Sequence, residues 1–173
     1  MTSNLERLSN ILDDFFKEET ISKLQEPKEN MFIEFISDNQ KFLSFSFDKQ
    51  PLPKNDFPKG IFPFFNRGTG KVTSFCDYII FTEKAGNLYI LLIELKAGKD
   101  NVNKQLEAGR CFSEYIISTL NRVYNLNISP QIRKISIRKT HVTPKPQQRK
   151  KVEYLDNLHT FRDSKFWLKK YLD

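Results

Sequence analysis

"YIIFTEKAGNLYILLIELKAG", Tyr78 to Gly98, is the most apolar part of the chain, and its reading decides the fold. Two apolar runs, Val72 to Thr82 and Leu88 to Lys96, flank "EKAGN", a connection of hairpin length. The second run closes on two charges, Glu94 and Lys96. Side chains alternate faces along a strand, so these two share a face and Leu95 points the other way. A loop centred on Ala85 and Gly86 sets Asp77 directly across from Glu94. A Gly86-Asn87 loop sets Asp77 across from Lys96, with Glu94 one step along the same face. Either register gathers all three; only an odd-residue loop or a bulge would separate them.

Two carboxylates side by side in an apolar hairpin repel each other and resist desolvation, so something positive belongs beside them. A hard divalent cation held by Asp77, Glu94, the backbone carbonyl of Leu95 and water would satisfy oxygen-ligand preferences. Magnesium, or manganese in its place, suits a small carboxylate set with a phosphate substrate. Lys96 then stands beside the metal, able to orient or help deprotonate an attacking water. The competing reading is an ion cluster in which Lys96 neutralises the acids and no chemistry follows.

Outward from the hairpin, the apolar residues Leu5, Leu8, Ile11, Leu12, Phe15, Phe16, Ile21 and Leu24 recur at helical spacing and predict a helix from Asn4 to Gln25, capped by Ser3 or Asn4 and ended by Pro27. "MFIEFIS" and "KFLSFSFD" around "DNQ" predict a short hairpin. Residues 49–71 hold four prolines and three glycines, which makes them a long loop. Phe57, Phe62, Phe64 and Phe65 stand there among Lys54, Lys59, Arg67 and Lys71; these rings either stack on bases beside phosphate-binding cations or tuck the loop onto the core. Helical spacing resumes from Asp100 to Leu126, and "QIRKISIRKTHV" after Pro130 predicts a further strand. The tail from Thr143 to Asp173 ends in "KFWLKKYLD", a predicted short helix packing Phe166, Trp167 and Tyr171.

At 173 residues, 39% hydrophobic and 13% aromatic, the chain suits one domain with a real core, alone, as a homodimer or in a larger complex. A net charge of +7 and a pI near 9.3 favour a polyanionic partner. Cys76 and Cys111 lie in apolar segments without ligand spacing and read as buried free thiols, and nothing approaches the length of a membrane span. The expectation is a soluble cytoplasmic protein with no membrane partner.

Asp77 followed by Glu94-x-Lys96 on the next strand, in the order helix, strands, helix, strand, resembles the PD-(D/E)xK nuclease superfamily over roughly residues 1–142. The resemblance implies an α/β fold with a restriction-endonuclease-like core, in which helices flank a mixed central sheet. It also implies a magnesium-dependent nuclease acting on the phosphodiester bonds of DNA. Asp77 and Glu94 would be metal ligands and Lys96 the catalytic lysine. Cys76 stands where the family's proline would precede Asp77. Gln105 matches a glutamine that RecB-like members carry on the following helix, although Gly109 stands where they have a tyrosine. Some members add an acid from the first helix, for which Glu6, Asp13, Asp14, Glu18 and Glu19 are candidates.

Lys99 and Lys104 are candidate phosphate contacts near the site. From Arg133 to Lys151 there are eight Lys or Arg and no acid. Arg149, Lys150 and Lys151 in that run would dock phosphates without reading sequence. His141 and His159 suggest neither a ligand set nor a catalytic base. The alternative to a nuclease is a non-cleaving nucleic-acid-binding or protein-interaction module on the same fold.

Overall fold

The computed structural model describes residues 2–18, 21–47, 62–66, 68–70, 72–139, 152–155 and 157–173. The apolar stretch forms the hairpin of strands β5 (Tyr78–Lys84) and β6 (Asn87–Lys96). Its turn residues Ala85 (φ 50°) and Gly86 (φ 81°) both take left-handed backbone, as a type I′ turn requires. Tyr78 faces Ile93 and Lys84 faces Asn87, which is the register centred on Ala85 and Gly86.

This hairpin is the middle of a six-stranded sheet of order β1-β4-β5-β6-β7-β8. β1 (Lys17–Glu18) and β4 (Phe42–Phe45) join antiparallel on one side; β7 (Gln131–Arg138) and β8 (Leu158–Phe161) join parallel on the other. The protein is therefore a mixed α/β structure on a mixed sheet. Helix α2 (Asn103–Tyr124) supplies the crossover that parallel β6 and β7 need.

Both faces of the hairpin are covered, which explains its unbroken apolar run. Ile79, Phe81, Ile90 and Leu92 pack against Leu5 and Leu8 of α1 (Asn4–Ile11) and Leu106, Ile116, Ile117 and Leu120 of α2. Tyr78, Ile80, Leu91, Ile93 and Leu95 pack against a second sheet of order β2-β3-β9, made of β2 (Lys23–Glu26), β3 (Met31–Ile36) and β9 (Lys165–Trp167). Among the described residues, the expected helical flanking thus holds on one face only. Among the described residues, no helix is long and apolar enough to cross a membrane.

Three expectations of secondary structure need correction. The first helix stops at Ile11. Ser3 caps it in a capping box with Glu6, but Leu12 is extended and the Asp13 carboxylate takes the Phe15 N–H, starting a separate 3₁₀ turn. Phe15 and Phe16 continue the helical spacing only by coincidence: they meet edge to face, and Phe16 stacks on Phe47. The segments around "DNQ" do not pair with each other. Asp38 and Asn39 adopt positive φ, and Gln40 Nε2 donates to Thr82 Oγ1 and the Glu83 carbonyl, so the turn hands the chain from the second sheet to the first. Finally, "KFW" is strand β9, parallel to β3, and only Leu168–Tyr171 coil into a 3₁₀ turn. Phe166 and Tyr171 are buried there as expected. Of the two cysteines, Cys76 is buried, whereas Cys111 is exposed on α2.

Candidate active site

Asp77 immediately precedes β5, and the register carries it to the position opposite Glu94. Its Oδ2 accepts the Leu95 N–H at 2.7 Å, so the carboxylate is anchored on the neighbouring strand. Glu94 is only 3% exposed, and its Oε1 lies 3.8 Å from Lys96 Nζ. Glu94 and Lys96 therefore meet at the C-terminal end of β6, and Asp77 is bonded to the backbone of Leu95, the residue between them.

A fourth group completes the cluster, and it comes from none of the helix acids. Glu29 Oε1 accepts from Lys96 Nζ at 2.9 Å, while its Oε2 accepts the Ala97 N–H at 3.1 Å. The local sequence builds this placement. Pro27 opens a single 3₁₀ turn, Glu26 accepts the Lys28 N–H, and Asn30 at φ 49° reverses the chain into β3. Tyr78 fixes the turn to the hairpin by exchanging hydrogen bonds with the Gln25 backbone, accepting at 3.0 Å and donating at 3.1 Å. Sequence spacing held no signal for Glu29, because the contact to Lys96 joins two segments far apart in the chain. Of the helix-region candidates, Glu6 and Asp13 are used as caps, Asp14 pairs with Lys17, Glu18 lies in β1 opposite Ser44, and Glu19 lies outside the described residues.

The electrostatics follow from these contacts. The Lys96 hydrogen bond, then that of Ala97, holds the Glu29 carboxyl below its ordinary range. Lys96 in turn is raised, first by the hydrogen bond to Glu29 and then by the charges of Glu94 and Asp77, so it is an ammonium at neutral pH. Burial, followed by the charges of Glu94 and Asp77, pushes the Cys76 thiol well up, which makes it an inert packing group.

Can these residues take a divalent cation? Asp77 and Glu94 offer two carboxylates from adjacent strands, the hard-oxygen set that magnesium takes alongside water and phosphate oxygens. Ser136 pairs with Glu94 across β6 and β7, and its hydroxyl is buried with no hydrogen-bond partner among the described residues. A buried polar atom left this way suits an ordered water. Among the described residues no cluster of three or more His, Cys, Asp or Glu side chains is placed to hold a metal. Two carboxylates with phosphate and water remain a sufficient set.

The other expected contacts are distributed as follows. Lys99 and Lys104 are exposed, on the loop after β6 and at the start of α2. Gln105 is half-buried in the first turn of α2. One turn on, a Cβ at Gly109 would stand 2.6 Å from Cys76 Sγ, so no tyrosine fits and α2 packs directly on the segment leading into Asp77. In the basic run, Arg138 donates to the carbonyls of Gly98 and Asp100, and Lys134 pairs with Glu107. Arg133 donates to Gln131 and lies over the Tyr89 and Tyr154 rings. These three cations serve the fold. Arg149, Lys150 and Lys151 lie outside the described residues, as do Lys54, Phe57, Lys59, Arg67, Lys71 and His141. His159 stacks on Phe161 and contacts the Tyr171 hydroxyl, a packing role. Comparison with family models, characterised proteins and solved structures finds no match to this chain.

Proposed function

We propose that the protein is a metal-dependent nuclease that hydrolyses phosphodiester bonds of DNA on a restriction-endonuclease-like core. The observation that carries this reading is the meeting of Asp77, Glu94 and Lys96 at one strand end. There the buried Glu94 carboxylate lies 3.8 Å from the Lys96 ammonium, and the Asp77 carboxylate accepts the N–H of Leu95, the residue between them. Asp77, Glu94 and the Leu95 carbonyl would hold magnesium or manganese. Bound there, the ion supplies an acidified water and charge neutralisation on phosphate oxygens.

The chain's own residues do the rest. Lys96, held by Glu29, would donate hydrogen bonds to the attacking water or a phosphate oxygen and stabilise negative charge as it develops. Taking a proton from water would first require that Lys96 leave Glu29. Glu29 is a positioning residue: its carboxylate bridges Lys96 Nζ and the Ala97 N–H and so orients the amine.

One observation favours a second reading. Lys96 lies closer to Glu29, at 2.9 Å, than to Glu94, at 3.8 Å, which is also what an ion cluster in a non-cleaving module would have. Incubation with labelled linear, circular and branched DNA in magnesium, manganese or a chelator separates the two. Metal-dependent strand cleavage supports the nuclease, and intact DNA in both ions supports the module.

A further inference from the structure

Seven large apolar side chains are exposed among the described residues, and three of them gather at one place: Phe64 (75% exposed), Phe65 (44%) and Tyr115 (69%). They line a groove of about 480 Å³ whose remaining rings are Phe62, Phe75 and Phe112. That volume is within the range of pockets that take small ligands, about 300–1,000 Å³. Phe62 stacks on Phe75 at 5.2 Å and meets Phe112 edge-on at 5.5 Å. Phe64 and Phe65 then lean on Phe62 at 5.9 and 5.6 Å, so half-buried rings hold the exposed ones in place. No charged side chain lines the groove among the described residues.

Two chain segments link the groove to the acidic cluster. Phe75 is two residues before Asp77, and the opposite wall is α2, whose first turn carries Gln105. Exposed Lys104 shares a helical stripe with Ala108, Cys111 and Tyr115, at spacings of four, three and four. A cation at the site end of a stripe of apolar groups matches a strand that presents phosphate and base alternately.

We infer that this groove binds unpaired nucleotides of the substrate strand, with bases stacking on Phe64, Phe65 and Tyr115, so that the substrate class is nucleic acid with a single-stranded segment. In intact duplex the flat faces of the bases are already stacked on one another, whereas an unpaired base can lie on a protein ring. The lining is dominated by rings, as a planar occupant requires. The net charge of +7 favours a polyanion over an apolar peptide. That the bound strand is also the one cut rests on the proposed activity; the stacking itself does not.

The test is fluorescence anisotropy in chelator, with labelled oligothymidylate of about 16 nucleotides and a duplex of equal length. The parent binds the single strand more tightly. The Phe64→Ala/Phe65→Ala protein loses roughly fivefold to hundredfold in single-strand affinity per ring removed, while its duplex affinity is unchanged. Tyr115→Ala, on the opposite wall, gives the same selective loss, so the test stands even if the double variant folds poorly. Equal affinity for both DNAs, unaltered single-strand affinity in the variants, or no DNA binding at all overturns the inference. So does a parent dimer in sedimentation that Phe64→Ala/Phe65→Ala dissociates, because a second copy then fills the groove. If Lys96→Ala loses cleavage while ring removal leaves binding intact, the groove fails and the nuclease stands. If the parent never cleaves but ring removal abolishes single-strand binding, the nuclease fails and the groove stands.

Discussion

Replacing Glu29 by Gln keeps the side chain's shape and removes one charge from the cluster. Two contacts are affected, the 2.9 Å bond from Lys96 Nζ and the 3.1 Å bond from the Ala97 N–H. A hydrogen bond to a charged group contributes about 1.5–3 kcal/mol net, and an exposed ion pair about 0–1 kcal/mol. With the two side chains 25% and 21% exposed, the pair falls between these limits. A destabilisation of about 1–2 kcal/mol follows, and at about 2–4 °C per kcal/mol for a chain of this size, a melting point roughly 2–8 °C lower. The pH dependence carries a definite sign. The folded Glu29 carboxyl is depressed by Lys96 and Ala97, so its contribution is full above the unfolded value of about 4.3 and is lost as pH falls through the lower folded value. Lys96 is raised, so its contribution is lost only as pH climbs past its ordinary value of about 10.4. Melts of parent and Glu29→Gln across this range should therefore differ by a constant amount near neutrality and converge in acid. A deficit that persists unchanged in strong acid, or no deficit at neutral pH, would refute the ionised Glu29–Lys96 pair.

Two further outcomes are expected. Gly109→Ala places a Cβ 2.6 Å from Cys76 Sγ, so overpacking of about 1–3 kcal/mol outweighs the roughly 1 kcal/mol gained in helix propensity. Cys76→Ala removes the obstructing atom, and urea midpoints of the four proteins should show the double variant more stable than the sum of the single effects; strict additivity would mean that the two sites do not touch. Asp77→Asn keeps an oxygen for the Leu95 N–H and relieves repulsion with Glu94, so in chelator it should melt at or above the parent. At one hundred times its dissociation constant, magnesium should stabilise the parent by about 2.7 kcal/mol and leave Asp77→Asn nearly unmoved. A destabilised variant whose parent ignores magnesium would indicate an ion cluster.

The hairpin, its register and the approach of Glu94 to Lys96 were legible because a two-residue turn and strict alternation leave little freedom. α2 and β7 were legible for the same local reason, one periodic pattern each. What failed was set by distant contacts. Phe15, Phe16 and Leu24 keep helical spacing, yet Phe16 joins Phe47 and Leu24 joins the second sheet. Met31–Ile36 and Phe42–Phe45 alternate like hairpin arms, but local alternation does not say which sheet a strand enters, and Gln40 decides it by bonding to Thr82 and Glu83. Glu29 was hidden for a related reason. A lone glutamate after a proline looks like any turn residue until Tyr78 clamps the Gln25 backbone and brings that turn over Lys96.

The measurement that bears most directly on the Asp77, Glu94 and Lys96 site is cleavage of labelled DNA by the parent and by Lys96→Ala. Both are assayed with magnesium, manganese or chelator, alongside DNA binding and a thermal melt. The expected result is cleavage by the parent in either ion and none in chelator. Lys96→Ala should stay folded and bind DNA as before while its cleavage rate falls about 10²–10⁴-fold, the usual contribution of a positioned proton-transfer or charge-stabilising group. Lys96→Arg should rescue poorly, since a planar guanidinium does not replace a compact ammonium. Intact DNA with the parent in both ions, or an unchanged rate in Lys96→Ala, would contradict a nuclease site at the end of β6.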